Sequence, residues 1–223
     1  MLSFVFAESA LELVPREICG HPAVAGDARR RGMKAGEMLL DRSFHHTAMA
    51  KLRDSEKRGR PDLVHVAMLS VTATPLYLEG RARLFVHTYP GTVIEVAEKT
   101  RIPKSYLRFR GLMEKALVEE PAGGLLRVRK TKFPELVKTV EPGRVFGLTV
   151  RGRLEGIPEF AADVVAAKDP CVVVGGFPHG HFSAEVEKAV DEFVRIDPRP
   201  LEAHVVAARV VYEIERATKG FND

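Results

Sequence analysis

The chain has 223 residues, 45% apolar and 29% charged, with 34 Lys or Arg against 30 Asp or Glu for a net charge of +4; such a chain can bury a self-sufficient core, and the composition excludes collagen-like, low-complexity and wholly disordered classes. Two isolated cysteines, Cys19 and Cys171, exclude a disulfide framework and a thiolate zinc cluster and predict a reducing, cytoplasmic compartment. No run of roughly 18 uncharged apolar residues predicts a membrane span, and Glu8 and Glu12 interrupt the short apolar start, which lacks the basic lead of a targeting segment.

Residues 2–7 are β-branched and aromatic and predict a first strand; residues 10–18, with Leu11, Leu13, Val14 and Ile18 at mixed helical spacing, predict a helix after it. A second helix is expected over residues 38–52, beyond the Arg29, Arg30, Arg31 triplet and Gly32. Residues 61–71, PDLVHVAMLSV, are almost continuously apolar, and their periodicity leaves a buried helix and a buried strand open. Residues 84–87 and 92–96 flank Tyr89, Pro90 and Gly91 and predict a hairpin. Pro103 suits the first position of a helix, because its fixed φ is helical and its missing N–H would be unpaired there. That helix should run to about residue 119, with Tyr106, Phe109, Met113 and Leu117 packing and Lys104, Arg108 and Lys115 on another face.

Ala122, Gly123 and Gly124 break the chain, and Gly143, Gly147, Gly152 and Gly156 punctuate the residues beyond. Residues 171–174, CVVV, form the short uniform run of a strand buried on both faces of a parallel sheet. Residues 175–181, GGFPHGH, read as a loop, followed by a helix capped by Ser183, helped by Glu185 and ending near Phe193. Residues 194–199 form another connection. Pro200 is expected to open the last helix, whose polar Glu202, Arg209, Glu213 and Arg216 oppose Leu201, Val205, Ala208 and Val211. The pattern predicts an α/β fold.

Chemistry-bearing residues concentrate in a few places. From Lys99 to Lys132 there are ten Lys or Arg against three Glu, so the basic character belongs to one segment. Such a stripe fits a phosphate-rich partner, and a solvated helix face explains it equally well. The 175–180 loop follows a parallel-type strand, where α/β sheets bind ligands, but it is neither a P-loop nor GxGxxG, and glycine also serves any ordinary turn. His45 with His46 and His179 with His181 lack metal-ligand partner spacing, so no metal is expected. No GxSxG elbow occurs. Arg60-Pro61-Asp62 sets a carboxylate where it can hold a guanidinium in one pose, either for phosphate or base recognition or as an interdomain ion pair.

Taken together, RPDLVHVAML, TRIPKSYLRFRGLM, CVVVGGFPHGHF and PLEAHVVAARV resemble the ribosomal small-subunit RNA pseudouridine-N1-methyltransferase family, of the SPOUT superfamily, also linked to ribosome assembly. The likeness runs from LLDRSFHH at residues 39–46 to the last helix, and the compact length resembles the archaeal branch. It implies a SPOUT-type parallel sheet with a C-terminal trefoil knot over residues 1–223, with a family-specific insertion of hairpin and basic helix at about 72–135. It also implies a homodimer using the last helix, S-adenosylmethionine as cofactor and small-subunit rRNA as partner, with ribosomal assembly proteins as further partners. Cofactor contacts would come from Leu148, Gly175, Gly180, Ile196, Asp197, Pro198, Arg199, Pro200 and Leu201, and RNA contacts from Arg60, Arg101, Lys104 and Arg108. Arg60 and Asp62 would serve catalysis, Asp62 by orienting Arg60. Lys104 replaces an Arg, keeping charge but losing the bidentate fork. A non-catalytic rRNA-binding assembly factor and a SPOUT enzyme acting on tRNA are the competing functions.

Overall fold

The computed structural model describes residues 1–119 and 124–219; Ala122 and Gly123, expected to break the chain, lie outside them. Strand β1 (Leu2–Ser9) opens the chain as expected. The helix predicted over residues 10–18 is absent. Residues there run extended, Leu13 bridging to Leu39, into one 3-10 turn at Arg16–Ile18. Pro15 cannot donate within a helix, and Leu11, Val14 and Ile18 are buried without one. Helix α1 (Pro22–Arg31) follows, so the arginine triplet forms its last turn. Helix α2 (Arg42–Met49) is shorter than predicted because Asp41 caps it, accepting from Ser43 N at 2.9 Å.

The ambiguous run is a helix, α3 (Pro61–Thr72), with Pro61 opening it and Asp62 in its first turn. After the short α4 (Pro75–Leu78), β2 (Ala82–Thr88) and β3 (Thr92–Val96) make the predicted hairpin, Leu84 opposite Val96 and His87 opposite Val93. Helix α5 (Tyr106–Glu119) starts later than Pro103 suggested: Phe109 N donates to Ser105 O at 3.0 Å, and Pro103 O instead accepts from His65 Nε2 at 2.7 Å. Lys104 therefore precedes the helix and shares no helical face with Arg108. Phe109 and Met113 are buried as predicted.

The glycine-punctuated region holds β4 (Leu126–Lys130), α6 (Phe133–Val140), β5 (Arg144–Leu154) and α7 (Ile157–Ala166). Then comes β6 (Pro170–Gly175), the expected buried strand. Ser183 caps α8 (Ala184–Glu187) as predicted, but that helix ends after one turn and the chain continues into β7 (Glu192–Arg195). Helix α9 (Ala203–Lys219) begins beyond Pro200, and its buried face is Ala203, Ala207, Val210, Val211 and Ile214, leaving Ala208 exposed.

Among the described residues seven strands form one sheet, in the order β4-β3-β2-β1-β6-β5-β7. It is mixed: β2, β1, β6, β5 and β7 are parallel, whereas β3 is antiparallel to both β2 and β4. The hairpin is thus continuous with the main sheet through β2. Alternation along the strands feeds two cores. Phe4, Phe6, Phe146 and Val172 face α3, α5, α7 and α9, through Val64, Phe109, Phe160 and Val210. Val5, Val145, Cys171 and Val173 face α6 and α8, through Phe133, Leu136 and Val186. A satellite cluster under α1 and α2 holds Val24, Met38 and Met49.

One buried ion pair fixes the chain on both sides of that satellite. Arg58 Nε and Nη2 donate to Glu12 Oε1 and Oε2 at 2.7 and 2.8 Å, and the guanidinium lies 4.7 Å from the Tyr89 ring centre. Both side chains are buried, so removing one partner strands a charge in a poorly solvating environment. Glu12→Ala is expected to lower unfolding free energy by about 3–5 kcal/mol, measured by urea denaturation; a loss below about 1 kcal/mol would show that solvent reaches Arg58.

Candidate functional site

Parallel strands β6, β5 and β7 end on one edge of the sheet, and the segments leaving them surround a cavity of about 560 Å³. From β6 comes the glycine loop. Gly176 N donates to Ala7 O at 2.9 Å and Gly176 O accepts from Ala10 N at 2.8 Å, which pins the loop's start to the end of β1. Gly180 adopts φ +97°, a conformation that side-chain-bearing residues avoid. From β5 comes a bulge: Leu148 and Arg153 both pair with Val194, so the intervening residues leave the ladder, and Thr149 and Val150 line the cavity. A Cβ on Gly152 would lie 2.5 Å from the Val194 backbone, so glycine here permits β7 to pass.

The segment after β7 is shaped by its own charges. Asp197 accepts from Arg199 N and Nε, both at 3.0 Å, from Arg199 Nη2 at 3.1 Å and from Arg209 Nη1 at 3.5 Å. The Arg199 side-chain bonds, then its backbone N–H, hold the Asp197 carboxyl far below its ordinary value. Leu148, Gly175, Gly180, Ile196, Asp197, Arg199, Pro200 and Leu201 all line the cavity, as does Arg60; Pro198 is exposed and does not. The structure therefore brings together eight of the nine residues expected to meet a cofactor. Arg195 also lines it, and its buried Nε has no hydrogen-bond partner among the described residues.

Arg60 stands at the N-cap of α3, its N–H donating to Ala10 O at 3.1 Å. Its Nε and Nη2 donate to Asp62 Oδ1 and Oδ2 at 2.8 and 2.9 Å, a bidentate pair that fixes the guanidinium plane. Burial alone would raise the Asp62 carboxyl, but the hydrogen bonds and charge of Arg60 outweigh it and hold it below its ordinary value. Further along α3, His65 anchors the basic segment through Pro103 and stacks on Phe109, ring centres 4.3 Å apart. Tyr106 donates to Asp41 Oδ2 at 2.7 Å, and burial with that bond pushes its phenol well above the ordinary value. Arg101, Lys104 and Arg108 are exposed, and none is ion-paired among the described residues, in contrast to Arg31 with Glu114 and Lys115 with Glu119.

The histidine pairs separate. His45 is buried, its Nδ1 accepting from Asp41 N at 3.1 Å, and burial holds its ring below the ordinary value despite Asp27 nearby, whereas His46 is exposed. His179 and His181 line the cavity. No cluster of three His, Cys, Asp or Glu able to hold a metal occurs among the described residues, nor is any described helix long and apolar enough to cross a membrane.

The family model for EMG1/NEP1 methyltransferases matches residues 4–215. The chain belongs to the EMG1/NEP1 methyltransferase family. It is 41% identical to the ribosomal RNA small subunit methyltransferase Nep1 of Staphylothermus marinus, covering 96% of this chain and 95% of that protein. With the Nep1 of Pyrobaculum neutrophilum the identity is 44%, over 95% and 96%. The crystal structure of Archaeoglobus fulgidus Nep1 bound to S-adenosylhomocysteine superposes with a TM-score of 0.85 at 38% identity, covering 97% of this chain and 98% of that one. Within this family's α/β fold, Thr149, Val150 and Arg195 are invisible to sequence patterning because β5 and β7 are. The four-residue β7 with charged ends carries no periodic signal of its own, and Gly147 and Gly152 interrupt that of the longer β5.

The Arg60–Asp62 pair has a pH signature. With the folded Asp62 value below the ordinary 3.8, the charged pair stabilises the fold above that pH and loses its contribution as pH falls through the folded value. Both side chains are more than a third exposed, so solvent screening limits the effect to at most about 1 kcal/mol. Asp62→Asn should therefore be slightly less stable than the parent at pH 7 and equal to it in strong acid, measured by denaturant titration; a difference constant with pH would contradict this account.

Proposed function

We propose that the chain transfers the methyl group of S-adenosylmethionine to N1 of a pseudouridine in small-subunit rRNA, in the course of ribosome assembly. The observation that carries this is the cavity in which the glycine loop, Leu148 and the segment after β7 meet beside an oriented Arg60. Its size suits a nucleoside-sized ligand, and Gly180 turns the wall at φ +97° with the Lys57 chain packed where a Cβ would stand, so a side chain there would displace the wall. The Asp197–Arg199 clasp uses the two charged side chains on each other and leaves the backbone of Ile196 and Leu201 to meet the ligand. Bound there, S-adenosylmethionine supplies a methyl group already activated by its sulfonium.

The chain's own residues must then align the ring nitrogen, a contribution worth about 7–11 kcal/mol in favourable cases, and favour loss of its proton. A fixed Arg60 stabilises the negative charge the ring develops. Asp62 is a poor base because its carboxyl is held low, and it acts by orienting Arg60. Arg101, Lys104 and Arg108 form the phosphate-binding face. An assembly factor without catalysis needs that face but not the cavity, which favours the enzyme; a tRNA substrate is the competing partner, decided by mass spectrometry of native rRNA and tRNA with and without the protein.

On this reading the chain is one methyltransferase domain, residues 1–223, knotted through its C-terminal segment, with residues 72–135 as the elaboration carrying the basic segment, and it works in the cytoplasm. It pairs as a C₂ homodimer through α9, where Tyr212 is 59% exposed, together with the exposed Val66 of α3. Ribosomal assembly proteins are further partners.

Each assignment has its own measurement. Gly180→Val should abolish calorimetric binding of S-adenosylmethionine, while sedimentation equilibrium shows a dimer at micromolar concentration without RNA; wild-type affinity in the variant, or a monomer, would sink the respective assignment. Arg108→Ala should reduce the slope of log RNA affinity against log salt by about one and leave cofactor affinity unchanged. Arg60→Ala should slow single-turnover methylation beyond its effect on RNA affinity. An intact salt slope would make the basic face structural, and an Arg60→Ala change confined to thermal stability would make the Arg60–Asp62 pair structural.

A further inference from the structure

Strand β1 ends in an irregularity that the cofactor assignment leaves unused. It tracks β2 up to Phe6 opposite Val86 and then slips, so that Ser9 meets Thr88. Within the slip sits Glu8, a non-glycine residue at φ +51° whose N–H donates to His87 Nδ1 at 3.3 Å. A bulge re-aims a side chain, and a left-handed non-glycine residue persists only where surrounding contacts hold it. The contacts are explicit. The buried Glu8 carboxylate accepts from Ser183 N at 3.1 and 3.3 Å and from Lys57 Nζ at 2.9 Å. Lys57 Nζ also donates to the His181 carbonyl and lies 4.5 Å from the Phe177 ring centre.

Phe177, Gly180 and His181 are cavity wall, while Glu8 and Lys57 do not line it. The wall's two ends are held differently. At Gly176 the backbone is laced to Ala7 and Ala10, whereas at residues 181–183 a carbonyl and an amide are gripped by opposite ends of one ion pair. The Lys57 chain also runs past Gly180, 3.0 Å from where a Cβ would stand. At 13% and 9% exposure the two side chains are shielded enough for charge-assisted hydrogen bonds to be strong. Lys57 is itself placed by its neighbour Arg58, which is bolted to Glu12.

We propose that Glu8 and Lys57 are positioning residues for the methyl-transfer reaction: a buried clasp that sets the shape of the 177–182 wall, and so the affinity for S-adenosylmethionine, without touching it. This rests on the assignment of the cavity to that cofactor. Each residue grips one backbone group and holds the other residue in place, so neutralising either one weakens the grip on both the His181 carbonyl and the Ser183 amide, and the two should behave as one unit.

The test uses the full chain and S-adenosylhomocysteine as the probe, with affinity by calorimetry and amide exchange at Ser183 as a local readout. Lys57→Met keeps the aliphatic stem beside Gly180 but removes the charged nitrogen that lies over Phe177; Glu8→Gln keeps an acceptor for Ser183 N. Each should weaken binding by about tenfold or more and speed exchange at Ser183, the double variant should be little worse than either, and Lys57→Arg should stay within about threefold of the parent. If Lys57→Met fails to fold, Glu8→Gln decides. A lowered melting temperature with unchanged affinity would overturn the clasp and leave the cavity assignment standing. A parent protein that does not bind the probe at all would overturn both.

Discussion

Everything at the site depends on β5 being flanked in parallel by β6 and β7. Because the three strands run the same way, the segments leaving them emerge at one edge, and a cavity forms there that Arg60, from the start of α3, also lines. The arrangement demands unusual closeness. A Cβ on Gly147 would lie 2.5 Å from the Phe193 ring and one on Gly152 equally near the Val194 backbone, so two positions of β5 have no room for a side chain where β7 crosses. Glycine in the middle of a strand weakens its intrinsic preference, and at Gly147 pairing with Val173 on one side and Phe193 on the other compensates.

The cations divide by environment. Arg31, Lys57 and Arg58 are well shielded and matched to Glu114, Glu8 and Glu12, so they act within the fold. Arg101, Lys104 and Arg108 are exposed, so their charge is available to a polyanion, subject to screening by salt. Arg60 belongs to neither set: it lines the cavity, is partly exposed, and is held in plane by a carboxylate that keeps its charge to low pH. A guanidinium held in this way can meet a base with little further loss of side-chain freedom.

How much of this was legible in the sequence depended on whether local chemistry or tertiary pairing decided the outcome. The CVVV strand, the 84–96 hairpin, the Ser183 cap and the buried stripe of α5 announce themselves through composition and spacing, and each is present. Residues 10–18 misled because Leu11, Val14 and Ile18 match a helical period, yet Pro15 and the buried Glu12 commit the segment to an extended path. At Pro103 a real signal lay in the wrong place: its carbonyl is taken by His65, and the helix waits for Ser105. The resemblance named residues that the structure places around one cavity, which no periodicity could have done, while Glu8 and Lys57, far apart in the chain and remote in type from any motif, could be seen together only in three dimensions.

The pairing of β1 has a consequence for how the chain must be made. One side of β1 is satisfied early, since Leu2 pairs with Ala82 on β2, but its other side pairs Ser3 with Cys171 on β6. During synthesis at roughly 5–20 residues per second, the interval between emergence of β2 and of β6 is on the order of ten seconds. For that time an apolar strand edge, carrying Phe4, Val5 and Phe6, has no partner from its own chain. Long-range parallel pairing also closes slowly once its strands exist. The nascent protein is therefore most exposed to misassociation before its last third has been translated, and a helper that shields a β-strand edge would act on it then.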